Sequence, residues 1–330
     1  MDLNYLSGLK HLLKGRIERL NEKIDEALHD LKNDSGRKST LYEAAKHAMG
    51  GGKRLRPLLC LLTCDGIGGD SSKILPTAAG IEMIHAFTLV HDDIMDGDEL
   101  RRGKPALKSL WGDNLAILTG DTLFALAYKH ILSNSGVDGI DANRVNRVLG
   151  LSVDACLKLA QGQMMDISLP IDNDWRNEII KLKTAPLFSL ATTAGAILGN
   201  GSEEEIECMG KYGLYLGMAF QIEDDILNLA GNADRVGKPN GGDLKNGKFT
   251  LPIAHALREI GKEERDRILS SPKKESVIME MMTKRGSIEY AEKIAQKLAY
   301  EAKQNLSVIK GEDERAALEF LADYSVKRGE

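Results

Sequence analysis

Apolar residues recur at helical spacing along nearly the whole chain. In the first segment Leu9, Leu12, Leu13, Ile17, Leu20, Ile24, Leu28 and Leu31 fall on one stripe, the spacing of an amphipathic helix. Alternation with a period of two, with β-branched enrichment, is hard to find, so the pattern predicts helices and no sizeable sheet. Helices are expected at about 3–32, 40–49, 57–66, 74–96, 113–134, 141–167, 175–199, 202–230 and 249–260, with several more from 274 to the end. Turn formers punctuate them: Asp34-Ser35-Gly36, Gly50-Gly51-Gly52, Gly66 to Asp70, Ser133 to Gly136 and Pro239 to Gly242. The central helices are apolar on more than one face, as buried helices are. No Pro/Ser-rich linker and no fixed repeat divides the chain, so one all-α domain over 1–330 is the economical expectation.

Composition narrows this picture. Aromatics are only 5% and there are 8 prolines, which suits a Leu/Ala/Lys/Glu-rich helical protein better than a sandwich or barrel. Lys+Arg number 44 against 49 Asp+Glu, a net charge of −5, so neither bulk nucleic-acid nor membrane-surface binding is expected. Lys10, Lys14, Arg16, Glu18 and Arg19 interrupt the first apolar stretch, which argues against a secretory signal. No window reaches the roughly 18 apolar residues of a membrane span, so no stable membrane insertion is expected. Cys60, Cys64, Cys156 and Cys208 form no C-x-x-C pair, and reduced, buried thiols in a cytoplasmic protein are the expected state.

Chemistry enters at His91-Asp92-Asp93-Ile94-Met95-Asp96-Gly97-Asp98-Glu99-Leu100-Arg101-Arg102-Gly103. Acids at the C-terminal end of an apolar helix meet the unfavourable end of the macrodipole and repel one another. Function is the compensating reason. Asp92 and Asp96 are one turn apart with Asp93 beside them, so their oxygens can share a hard divalent ion such as Mg²⁺. A second cluster, Glu223-Asp224-Asp225-Ile226-Leu227-Asn228, sits in another apolar helix. One such cluster would be read as a solvated helix end; two, facing across a bundle, would clamp a diphosphate through several Mg²⁺.

Cations alternate with these acids. Gly51-Gly52-Lys53-Arg54-Leu55-Arg56-Pro57 places three after a glycine run, where backbone N–H groups can approach an anion and Pro57 can open a helix. The spacing is not that of a Walker P-loop. Lys53, Arg56, His85, Arg101 and Arg102 are candidates for one phosphate site, and Lys183, Thr184, Gln221, Lys238 and Lys248 follow further along.

These motifs, in order, resemble the trans-isoprenyl (polyprenyl) diphosphate synthases, and among them the archaeal short-chain geranylgeranyl/farnesyl diphosphate synthases. The resemblance runs from about Lys46 to Pro252 through GGKRLRP, EMIHAFTLVHDDIMDGDELRRGKPA, LTGD, KTAPLFSLAT, FQIEDDILN and GKPNGGDLKNGKFTLP. It implies an all-α isoprenoid synthase-type helical bundle around a deep central cavity, usually as a homodimer. It implies Mg²⁺-dependent head-to-tail condensation of isopentenyl diphosphate with allylic diphosphates. Asp92 and Asp96, with Asp93 beside them, and Asp224 are implied to hold three Mg²⁺. Arg101, Lys183, Thr184, Gln221, Lys238 and Lys248 are implied to contact the allylic diphosphate. Lys53, Arg56, His85 and Arg102 are implied to hold isopentenyl diphosphate, with Phe220 near its isoprenoid part.

Asn228 departs from the family pattern, standing where a third Asp of the second cluster is usual. A carbonyl oxygen without charge binds Mg²⁺ more weakly, so Asp224 is the ligand expected there. Phe87, five residues before Asp92, lies roughly 7.5 Å along the helix axis. In the family a bulky residue there followed by a small one, here Thr88, goes with stopping at C20. Geranylgeranyl diphosphate is therefore the expected main product, with farnesyl diphosphate left open beside it. Two alternatives stand: a class I terpene cyclase, and a partner-dependent or regulatory subunit of a prenyl diphosphate synthase.

Overall fold

A computed structural model of the chain describes residues 3–32, 39–168, 173–230, 250–258, 260–271 and 273–327. Side chains at 3–12, 168, 173–177, 230 and 262 lie outside that description. Among the described residues there are fourteen α-helices and one two-residue strand pair, so the all-α expectation is met. The helices are α1 Leu3–Leu28, α2 Thr40–Met49, α3 Leu55–Ile67, α4 Leu75–Met95, α5 Leu107–Ser133, α6 Ala142–Ser168, α7 Asn173–Lys183, α8 Ala185–Leu198, α9 Glu203–Ala230, α10 Leu251–Leu257, α11 Lys262–Leu269, α12 Lys274–Lys284, α13 Ser287–Gln304 and α14 Glu312–Ser325. The strands β1 Leu100–Arg101 and β2 Lys104–Pro105 pair antiparallel.

The described residues group into two compact units. The first takes 1–153, 190–210 and 306–318; the second takes 154–189, 211–305 and 319–330. In the first unit, Leu20, Ile24 and Leu28 of the α1 stripe are buried. Arg16 is buried too, and hydrogen-bonds Asp65 (Nε to Oδ2, 3.0 Å) and Glu314 (Nη2 to Oε1, 2.8 Å). Among the helices wholly inside this unit, α4 and α5 make the most extensive pairing. They run in one constant antiparallel register: His91 lies against Gly120, Phe87 against Phe124, Gly80 against Ile131, and Thr77 is hydrogen-bonded to Asn134. Gly120 has to be glycine, because a β-carbon there would overlap the His91 imidazole. Gly80 does the same deeper down, where a β-carbon would meet the Ala127 carbonyl oxygen at 2.8 Å. Each fully buried Leu or Ile of this core contributes about 1.5–3 kcal/mol.

Several boundaries differ from those expected. Helix α3 begins at Leu55, so Pro57 occupies its third position. Proline is harmless there because the first three helical N–H groups have no partner within the helix. The stretch 175–199 is two helices broken at Thr184: Pro186 cannot donate and crowds the turn before it. Gly112, with φ of 78°, kinks α5 just before the stretch whose periodicity marks it as a helix. Two segments, Ser71–Met95 and Leu107–Gly136, are by length and composition apolar enough to cross a membrane. The expectation from uninterrupted apolar runs missed them, since polar residues break each run without lowering its average enough. Of their apolar windows 61% and 39% respectively are buried within the molecule. Cys60 and Cys64 are buried free thiols, whereas Cys156 and Cys208 are half-exposed. Burial, first, and then Asp65 push the Cys64 thiol up to about 12.

Candidate active site

Helix α4 ends at Met95 in two kinds of carboxylate. Asp92 and Asp96 are half-exposed and one turn apart, and the Asp96 N–H closes the helix on the Asp92 carbonyl at 2.8 Å. Asp93 is buried at 4% exposure. Its partner comes from the hairpin just beyond the helix, whose two-residue turn is Arg102-Gly103 with φ of 54° and 73°. Positive φ at both positions twists the strands correctly for so tight a hairpin. The turn brings the Arg101 guanidinium onto Asp93 Oδ1, through Nε at 2.7 Å and through a second N–H from Nη2. Burial raises the Asp93 pKa and Arg101 draws it only part of the way back. For Arg101 burial works against the charge, but Asp93 outweighs it and the pKa rises.

The glycine loop before α3 forms a second group. Gly51 and Gly52 have φ of 76° and 86°, and the Arg102 guanidinium lies directly over Gly52 where any side chain would stand. Arg54, itself left-handed at φ 51°, turns inward to Glu82 Oε1 at 2.9 Å, Asn21 Oδ1 at 3.0 Å and the Met49 carbonyl at 2.6 Å. The buried Glu82 therefore neutralises Arg54. Arg56 Nη1 lies 3.1 Å from His85 Nε2. Burial, and then the charges of Arg56, Arg102, Arg101 and Arg54, hold His85 well below the usual imidazole range, so it is neutral at neutral pH. Lys53 is exposed on the same loop.

In the second unit, the break between α7 and α8 sets Lys183 and Thr184 at a helix junction. Lys183 Nζ donates to Asp166 Oδ2 of α6 at 2.7 Å. Gly162 lets α6 approach, since a β-carbon there would come within 2.5 Å of the Lys183 amide nitrogen. Thr184 Oγ1 donates to Gln221 Oε1 at 2.6 Å, and Gln221 Nε2 donates to Asp225 Oδ1 at 2.8 Å. Asp225 is 2% exposed, whereas Asp224 and Asn228 are half-exposed and one turn apart. Phe220 packs on Phe188 with ring centroids 5.2 Å apart. Lys238 and Lys248 lie outside the described residues.

Of the sequence-derived residues, then, Arg101 meets Asp93, Arg56 meets His85 and Thr184 meets Gln221, with Asp92 and Asp96 one turn apart at the end of α4. Sequence reasoning missed Asp166 and the inward turn of Arg54. Asp166 carried a signal, because Gly162-Gln163-Met164-Met165-Asp166 ends an apolar helix in an acid, as the two recognised clusters do. Among the described residues no three His, Cys, Asp or Glu side chains converge on one point. The donors that are half-exposed, Asp92, Asp96 and Asp224, are all hard oxygens, the set suited to an octahedral ion that keeps several waters.

Comparison with known proteins accords with these features. The family described as polyprenyl synthetase matches residues 38–285. The short chain isoprenyl diphosphate synthase of Methanothermobacter thermautotrophicus is 38% identical over 96% of this chain and 98% of its own. Geranylgeranyl pyrophosphate synthetase from Pyrococcus horikoshii superposes with a TM-score of 0.88 at 36% identity, covering 98% of this chain and 99% of that one. A polyprenyl synthase from Caulobacter crescentus, complexed with calcium and isoprenyl diphosphate, superposes with a TM-score of 0.84 at 31% identity, covering 98% of this chain and 97% of that one.

Proposed function

This chain belongs to the polyprenyl synthetase family, and we propose that it condenses isopentenyl diphosphate head to tail with allylic diphosphates, giving geranylgeranyl diphosphate (C20) as main product. It is a prenyltransferase with the all-α isoprenoid synthase fold. The observation that carries the two-substrate reading is the cationic group at the α3 entry. Arg56 against neutral His85, with Arg102 over Gly52, is a phosphate site separate from the carboxylates of α4. A class I cyclase ionises one substrate and has no use for it.

In this reading Lys53, Arg56, His85 and Arg102 hold isopentenyl diphosphate, the neutral imidazole serving as a hydrogen-bonding group. Asp92, Asp96 and Asp224 hold Mg²⁺, three ions with substrate bound, and Arg101, Lys183, Thr184 and Gln221, with Lys238 and Lys248, hold the allylic diphosphate. Mg²⁺ supplies Lewis-acid stabilisation of the charge on the departing diphosphate. Asp93 keeps the Arg101 guanidinium in place for the same charge, and Lys183 exchanges Asp166 for the substrate. The apolar residues of α4 below Asp92 keep water from the allylic cation until the isopentenyl double bond attacks it, and the resulting cation then loses a proton to the departed diphosphate. Charge on the leaving group is what the protein has to stabilise, so no nucleophilic side chain is needed.

The C20 assignment rests on Phe87 followed by Thr88. The homodimer assignment rests on the family resemblance, and the exposure of Leu118 of α5 (57%) and of Leu157 and Met164 of α6 (59% and 62%) accords with it. The whole chain acts as one catalytic domain in the cytoplasm. Incubating the purified protein with Mg²⁺, isopentenyl diphosphate and dimethylallyl, geranyl or farnesyl diphosphate in turn should give C20 product in each case. A hydrocarbon formed from geranylgeranyl diphosphate alone would indicate the cyclase instead, and no turnover without a second protein would indicate the regulatory subunit. Phe87→Ala should lengthen the products.

A further inference from the structure

The register of α4 on α5 determines what stands at and below the level of Phe87. The Phe87 ring is met edge-to-face from two directions. His91, one turn above, lies at 5.7 Å with an interplanar angle of 82°, and Phe124 of α5 lies at 4.9 Å and 74°. Phe124 is backed in turn by Tyr128, again at 4.9 Å and at 63°. A lone aromatic side chain on a helix has more than one rotamer within reach, so an aliphatic tail growing toward Phe87 could turn it aside. With Phe124 in place that rotation runs into a second ring, itself supported by a third.

The geometry points to Phe124 as a positioning residue for product length: it locks Phe87 in the stopping position. Elongation past the two rings then ends at the Gly80 contact. Both statements rest on the reading above, that a prenyl chain is elongated down α4 below Asp92. Beneath the rings Met83 and Ile84 are fully buried. At Gly80 the two helices touch, with the Ala127 carbonyl oxygen and Ile131 Cγ1 each 2.8 Å from where a β-carbon would be. No aliphatic chain passes between helices that close. Phe87 and Gly80 are seven residues apart, roughly 10 Å along the axis, and one helical turn of about 5.4 Å is comparable to one isoprene unit. The axial span between the rings and the closed contact equals about two further units and falls short of a third.

The test is the length distribution of products made by the purified full chain from farnesyl diphosphate and excess isopentenyl diphosphate with Mg²⁺, compared at equal total conversion. Phe124→Ala should move a substantial share of product one isoprene unit beyond the native length. The double variant Phe87→Ala/Phe124→Ala should reach two units and stop. A purely structural role for Phe124 would lower total turnover and leave the ratio of lengths unchanged. Phe124 is 37% exposed, so its truncation opens no sealed core. Phe124→Leu, which keeps most of the volume but supplies no ring edge, should fall between native and Ala and serves as the second variant.

Native-length product from Phe124→Ala and Phe124→Leu, with longer product from Phe87→Ala, would overturn the locking role while leaving Phe87 as the stop. Products more than two units longer from the double variant would overturn the Gly80 limit. No condensation product from the native chain would overturn the reading beneath both.

Discussion

The two acidic helix ends share one pattern and stabilise it differently. On α4 the half-exposed pair is Asp92 and Asp96, and on α9 it is Asp224 and Asn228; in each, the residue after the first Asp is a buried carboxylate, Asp93 or Asp225. Asp93 is held by a cation, Arg101, delivered from a hairpin. Asp225 is held by a neutral chain, Thr184 to Gln221 to Asp225, that runs from the α7–α8 break. The inward carboxylate thus fixes a neighbouring element, and under the proposed function the outward pair is left to ligate metal. In the first cluster that support is a full charge pair with both ligating positions acidic. In the second it is an amide network, and one outward position is the uncharged Asn228.

If the outward positions ligate metal, Asp92→Asn should have the largest effect, about a 10³-fold loss of kcat, with Asp224→Asn nearer about 10²-fold. Steady-state kinetics at saturating Mg²⁺ would show this. Equal losses would mean that the two clusters contribute alike and that Asn228 is no handicap.

The inward carboxylates should separate in stability. Asp93→Asn removes the closest counter-charge of the Arg101 guanidinium, its side chain 26% exposed, and leaves it the longer contact to Asp98 Oδ2 at 3.5 Å. Breaking such a pair costs about 3 kcal/mol. Asp225→Asn retains an oxygen to accept the Gln221 N–H, so about 1 kcal/mol is expected. Urea unfolding midpoints measure both, and a larger loss for Asp225→Asn would reverse the distinction between charged and neutral support.

Much of this was legible from spacing. The period of apolar residues located α2 at 40–49, the Asp pair at i and i+4 located the first acidic end, and the adjacent Asp224-Asp225 located the second. What escaped lacks a periodic signal. Two-residue strands are too short to alternate, so the hairpin that aims Arg101 and Arg102 was invisible. Helix α11, Lys-Glu-Glu-Arg-Asp-Arg-Ile-Leu, has no apolar stripe. The inward turn of Arg54 depends on Glu82, 28 residues away, a distance at which composition says nothing. Pro186 did announce the break at Thr184, but the strong apolar run after it masked the signal.

The first unit also carries a buried imidazole among arginines, which has no counterpart in the described residues of the second. Burial and the charges of Arg56, Arg102, Arg101 and Arg54 depress the His85 pKa from its ordinary 6.5, and Glu82, one turn before it on α4, is held by Arg54. Below pH 6.5 the unfolded chain takes a proton that the folded chain refuses. Stability therefore falls as pH drops, by at most about 1.4 kcal/mol per unit until the depressed value is reached. His85→Gln should remove that slope between about pH 6.5 and about pH 5.5. A native chain whose urea midpoint is flat over this interval would show that His85 takes up its proton when folded.

The smallest expected effect bears most directly on the asymmetry of the two clusters. Asn228→Asp adds the missing charge one turn after Asp224, at a half-exposed position where an ion interaction is worth under about 1 kcal/mol. The Mg²⁺ concentration for half-maximal activity should fall by about three- to fivefold, with kcat at saturating Mg²⁺ nearly unchanged. The neutral network behind it, Thr184 to Gln221 to Asp225, is unaltered by the substitution, so a gain confined to metal affinity would assign the weaker second cluster to its ligating face. A rise in kcat with no change in Mg²⁺ dependence would place the deficit elsewhere, in the positioning of Lys183 and Thr184 at the α7–α8 break.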